Sequence, residues 1–230
     1  MPFDMDHQAK AITRLAEIGV HKLPSGQFAF TDVDTASHAY VHHSTVPAAL
    51  VAYAAVNTTF AAGRFPGLTL TDIVDKVPCM DAEEYTALAL ACGAEAPTFE
   101  SSHHRLEAFG QTLLAIVDTY ELHGCFETVK PYGSVGLHHT VRPIGFDWAG
   151  DWEPVAPRLK AMRKSYRAMT PLQQVMTLTV LHLYRQGKDR LFLVGGCPTK
   201  ILAADAMYIL QSNGQAAADW GRLVSHYAGW

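Results

Sequence analysis

Histidine is the residue type in this chain with the most obvious chemical potential. The stretch ASHAYVHHST (36–45) places His38 and His42 four residues apart. That spacing puts both rings on one face of a helix, and its even count does the same on a strand. Two imidazoles on one face can point at a single metal ion. Histidines recur in ESSHH (100–104) and GLHHT (136–140). The candidate ligand set is therefore His38, His42, Glu100 and His103, for Fe or Zn. His138 and His139 are expected on opposite faces of a strand, so only one of them could join. The competing reading is surface or hydrogen-bonded histidines, some in helical i,i+4 pairs with Glu100 and Glu107.

Glu100-x-x-His103 resembles the ExxH element of carboxylate-bridged di-iron bundles. That family carries the element twice, with further glutamates, whereas this chain has it once. HExxH and HxD spacings are absent, as is a GxSxG nucleophile elbow. The cysteines Cys79, Cys92, Cys125 and Cys197 lie far apart, with no CxxC pair. They read as free thiols rather than a zinc finger or a disulfide framework. GGCP (195–198) could set Cys197 at a helix N-terminus, though a tight turn into a helix explains the glycines as well. LVGGCPTK lacks the order of a phosphate-binding loop.

A second candidate is electrostatic. Residues 158–200 hold nine of the eighteen Lys and Arg and one acid, Asp189. That segment is about +8, whereas the rest of the chain is about −12. Such asymmetry suggests an electropositive face on an acidic body. Its members are Lys160, Arg163, Lys164, Arg167, Arg185, Lys188, Arg190 and Lys200. Residues 181–210 have the outline of a helix-turn-helix, with a second helix opening at Pro198. That helix would offer only Thr199 and Lys200 near its start, where a DNA reader presents Arg, Lys, Asn or Gln. The charge lies mostly upstream and suits phosphate contact, or an acidic protein partner, better than base reading. Trp148 and Trp152, in a Pro-containing loop, are candidate interface anchors.

These residues need elements to hold them. The periodicity predicts a helix over 4–18, a hairpin over 22–33 turning at Pro24-Ser25-Gly26, and a helix from Thr45 to Gly63. Shorter helices follow over 70–77 and 81–93, the second ending on Gly93. A long helix is expected from Thr98 to Gly124, with Leu106, Phe109, Leu113, Ile116 and Tyr120 inward. Residues 125–146 read as a two-stranded unit. Helices are then expected over 158–169, from a Thr170–Gln173 capping box to Gly187, over 198–211 and at the C-terminus. The helix after Thr170 is apolar nearly all round and should be buried. The expected fold is mainly α (α+β), with a mixed part over 1–146, a linker or loop over 147–157 and a basic helical part over 158–230.

The chain is 49% hydrophobic and 17% charged, against roughly 25% charged in an average soluble protein. It can bury a sizeable core. No apolar run reaches the roughly 18 residues of a membrane span, and MPFDMDHQAK shows no secretory apolar region. A cytoplasmic protein is expected. The leading functional expectation is a non-catalytic accessory or regulatory protein without a cofactor. It would bind a protein or nucleoprotein partner through the basic C-terminal helices. A His-rich metal enzyme and a helix-turn-helix DNA-binding regulator are the alternatives.

Overall fold

A computed structural model describes residues 67–80, 82–98, 101–129, 136–147, 153–185 and 191–229, with residues 13, 16, 20–22 and 28–30. The fold is mainly helical with short antiparallel strand pairs, the mainly α (α+β) class expected. In chain order the described elements are β1 (Val20–Lys22), β2 (Phe28–Phe30), α1 (Leu70–Val74), α2 (Ala82–Ala91), α3 (Ser102–Thr119), β3 (Phe126–Thr128), β4 (Val141–Pro143), α4 (Ala156–Ala168), α5 (Pro171–Arg185), α6 (Ala203–Gln211) and α7 (Ala216–His226).

β1 and β2 pair antiparallel with Lys22 opposite Phe28, in agreement with the expected hairpin. Thr13 and Ala16 are helical, as the 4–18 pattern predicts. The expected helix from Thr45 to Gly63 lies outside the described residues.

Local chemistry fixes most helix ends. Thr69 and Asp72 form a capping box on α1: the Asp72 N–H donates to Thr69 Oγ1, and the Thr69 N–H to the Asp72 carboxylate. Thr170 and Gln173 form the expected box on α5. α2 ends in a Schellman motif at Gly93, with φ of 79° and the Ala94 N–H donating to the Ala89 carbonyl.

Several boundaries differ from expectation. The long helix starts at Ser102, not Thr98, because Ser101 Oγ accepts from the His104 N–H and caps it. It stops at Thr119, short of Gly124; Glu121 at φ 55° turns the chain into a short 3-10 turn, Leu122–Gly124. His138 and His139 lie in a 3-10 turn, Leu137–Thr140, rather than on opposite faces of a strand. The His139 N–H donates to the Gly136 carbonyl there.

Another concerns the helix-turn-helix outline. α6 opens at Ala203, not Pro198. The Leu70 N–H donates to the Ile201 carbonyl, and the Ala203 N–H to the Leu68 carbonyl. These bonds make an antiparallel bridge between Thr69 and Leu202, which holds the chain extended where the helix was expected. The described residues 191–202 alone, which precede α6, are far longer than the roughly 3–4-residue turn of a helix-turn-helix.

α5 is the centre of the core. Every residue from Val175 to Leu183 is buried, as an all-round apolar helix should be. Its buried threonines are hydrogen-bonded, Thr177 Oγ1 to Met169 Sδ. Thr179 Oγ1 donates to the Val175 carbonyl and accepts from Trp220 Nε1 at 2.8 Å. α1 and α6 pack on α5, while α7 packs on α2, α3 and α6. Buried residues on both sides of 147–157, from Leu70 to Tyr227, form one cluster. β3 and β4 pair with Glu127 opposite Arg142.

Candidate interaction surface

α4 begins after Val155 with Pro157 in its first turn, where a missing N–H costs nothing. Leu159, Met162 and Tyr166 recur at helical spacing and are buried. The same periodicity leaves Lys160, Lys164 and Arg167 exposed on one stripe at i, i+4 and i+7. No acidic residue interrupts this helix. Like charges at i,i+4 destabilise an isolated helix by about 0.2–0.5 kcal/mol. The stripe is thus held against a small electrostatic cost, offset at its end by Arg167 near the negative helix terminus.

The remaining arginines of α4 turn inward. Arg158 Nη1 donates to the Phe146 carbonyl at 2.8 Å, and its Nη2 pairs with Glu127. Arg163 Nε donates to the Phe192 carbonyl at 2.7 Å and its Nη2 to the Leu191 carbonyl at 3.2 Å. Tyr166 Oη donates to the Pro198 carbonyl at 2.7 Å. Arg167 Nη1 lies 3.6 Å from Cys197 Sγ. Residues 191–198 are therefore stitched along α4 by side chains of that helix.

This stitching decides which way the LFLVGG stretch faces. Phe192 and Leu193 are buried, with the Phe192 ring 5.1 Å from that of Phe146. Leu191 and Val194 point out, at 47% and 43% exposure. With Tyr208 on α6, they are the exposed large hydrophobic residues among those described. An apolar tip thus sits on the turn clamped to a helix carrying an unneutralised basic stripe. Cys197, on the same turn, is half-buried, its Sγ faces the Arg163 carbonyl of α4, and it opens no helix.

The other anticipated residues fall as follows. Lys200 is exposed beyond the turn. Arg185 is the last residue of α5. Lys188, Arg190, Trp148 and Trp152 lie outside the described residues, as do His38, His42 and Glu100. His103 is exposed in the first turn of α3. Among the described residues, no group of three or more His, Cys, Asp or Glu could hold a metal ion. The sequence reading missed Leu191 and Val194, and it missed the inward role of Arg163. The available signal was an apolar run, LFLV, ended by two glycines and too short to bury all four side chains.

No described helix is long and apolar enough to cross a membrane. Comparison with protein-family models, with curated proteins and with solved structures finds no match to this chain.

Proposed function

We propose that this chain is a non-catalytic accessory or regulatory protein. It engages a macromolecular partner through the exposed stripe of α4, the turn at 191–198 and Lys200 beyond it. The observation that supports this reading is the juxtaposition just described: Arg163 and Tyr166 fasten the apolar tip Leu191/Val194 to the helix bearing Lys160, Lys164 and Arg167. Exposed apolar side chains framed by charge are characteristic of interaction surfaces. The apolar tip favours a protein or nucleoprotein over bare nucleic acid, because phosphate contact needs no apolar anchor.

Arg163 is a poor probe of this surface, since its guanidinium holds the turn in place. The informative variants are Lys160→Glu with Lys164→Glu, and separately Val194→Asp. Affinity capture with the full chain, after nuclease treatment and with mass-spectrometric identification, should lose the same specific partner in both. Capture unchanged in both variants would end the proposal. Retention on duplex DNA that falls steeply with salt and is lost only in the Lys160/Lys164 variant would replace it with the nucleic-acid reading.

A further inference from the structure

The row of charge on α4 and the turn clamped beside it narrow the kind of partner that fits. Lys160, Lys164 and Arg167 are exposed and follow one another at about one-turn intervals. At roughly 1.5 Å of rise per residue the row is about 10 Å long. Among the described residues, no carboxylate forms an ion pair with Lys160, Lys164 or Lys200. Arg167 offers one amino group to Cys197 Sγ, a weak acceptor, at 3.6 Å. The row therefore keeps its charge.

Arg163 sets the apolar tip against this row. It precedes Lys164 on the flank of α4, and its Nη2 donates to the Leu191 carbonyl at 3.2 Å. Past the tip, Gly195 and Gly196 are exposed, with φ of 68° and 85°. A Cβ added at either would meet nothing within 4 Å. No hydrogen bond occupies their backbone groups among the described residues. Beside Val194, another chain's backbone can thus approach without meeting a side chain.

We infer that the partner, on the accessory role proposed above, presents an acidic peptide segment to this surface. Its carboxylates lie at about one-turn spacing opposite Lys160, Lys164 and Arg167, and an aliphatic side chain covers Leu191 and Val194. Charge complementarity carries the choice. At physiological salt the attraction of the row reaches only about 8 Å. A short acidic segment fits wholly within that reach. An extended polyanion, a duplex or an anionic bilayer, also faces a body of about −12.

The test is fluorescence anisotropy of labelled peptides titrated with the full chain in about 0.1 M salt. The probe is four repeats of Glu-Glu-Leu-Ala. Control peptides replace its leucines by serine, or its glutamates by lysine. The expected result is saturable binding of the probe with Kd below about 100 μM, and at least about tenfold weaker binding of each control. Lys160→Glu with Lys164→Glu, and separately Val194→Asp, should each weaken the probe by a similar factor, and Tyr208→Ala, on α6, should not. If charge reversal unsettles α4 by circular dichroism, Lys160→Gln with Lys164→Gln carries the same test. No binding of the probe, equal binding of either control peptide, or binding that survives the substitutions would overturn the inference. So would tighter retention on duplex DNA or on phosphatidylserine vesicles, or self-association of the chain that Val194→Asp abolishes, each of which names another occupant. Partner capture still lost in both variants while the probe fails to bind would leave the accessory role standing and overturn the acidic segment alone.

Discussion

His226 is the titratable side chain whose surroundings make the clearest demand. Its Nδ1 lies 2.9 Å from Thr112 Oγ1, and that hydroxyl donates its single proton to the Ala108 carbonyl. Burial pushes the ring pKa down to about 4, and Arg222, Arg105 and His104 add to the shift against an opposing backbone hydrogen bond. A folded pKa below the unfolded value of about 6.5 means the unfolded chain takes up the proton first. Stability from this residue is fully present above about pH 6.5 and is lost as pH falls through 4, by about 3 kcal/mol in total. Urea unfolding at a series of pH values should show this loss, and His226→Gln should flatten it between pH 6.5 and 4. An unchanged slope in that variant would mean the ring is not held neutral. Cys92 and Cys125 behave in the opposite sense. Burial raises both thiols to about 12, so neither offers a thiolate at neutral pH, in keeping with structural rather than reactive cysteines.

At the scale of elements, α2 and α7 approach each other closely. A Cβ added at Gly221 would stand 2.5 Å from Cys92 Cβ and 3.6 Å from the Ala89 carbonyl oxygen. Ala89, Ala94 and Ala218 pack in the same seam, so the two helices meet through small residues. In an open helix Gly→Ala stabilises by about 1 kcal/mol. Here the clash with backbone-proximal atoms should win, and Gly221→Ala should destabilise by about 1–3 kcal/mol in a urea titration. A gain in stability would show that the helices do not meet at this distance. The sign of this effect was not legible in the sequence, where Gly221 is simply a glycine inside a helical pattern. What was legible had a local cause: the inward stripe of α4, the capping box at Thr170, the Gly93 stop and the all-round apolar α5. What was not legible depended on distant chain. Pro198 looked like a helix start, but backbone bonds to Leu68 and Leu70, far away in sequence, kept 198–202 extended. Arg163 looked like a surface charge until the turn at 191–192 supplied carbonyls for it. The histidine pair that stood out first, His38 and His42, lies outside the described residues, so its geometry does not enter the site.

At the scale of the whole molecule, the 147–157 stretch does not divide the buried core into two. α7 lies against α2 and α3, and α5 against α1, from the other side of the stretch. His182, 5% exposed on α5, reaches Asp75, just beyond α1, at 2.7 Å. Arg158 of α4 ties to Glu127 of β3. These contacts cross 147–157 in several independent places, and the buried hydrophobic residues they accompany belong to one cluster. Residues 67–229 should therefore unfold as one cooperative unit. Tryptophan fluorescence, which reports on the fully buried Trp220, and far-UV circular dichroism should give coincident urea transitions. A protease site engineered into 148–152 offers a sharper check. After cleavage the two fragments should still elute together under native conditions, because the core rather than the backbone joins them, and should separate only in denaturant. Two separate transitions, or fragments that part without denaturant, would show that 158–230 is a domain in its own right. In that case the basic stripe of α4 could move independently of the acidic remainder. One shared core instead makes the stripe a fixed feature of a rigid surface, presented to a partner without an ordering cost of its own.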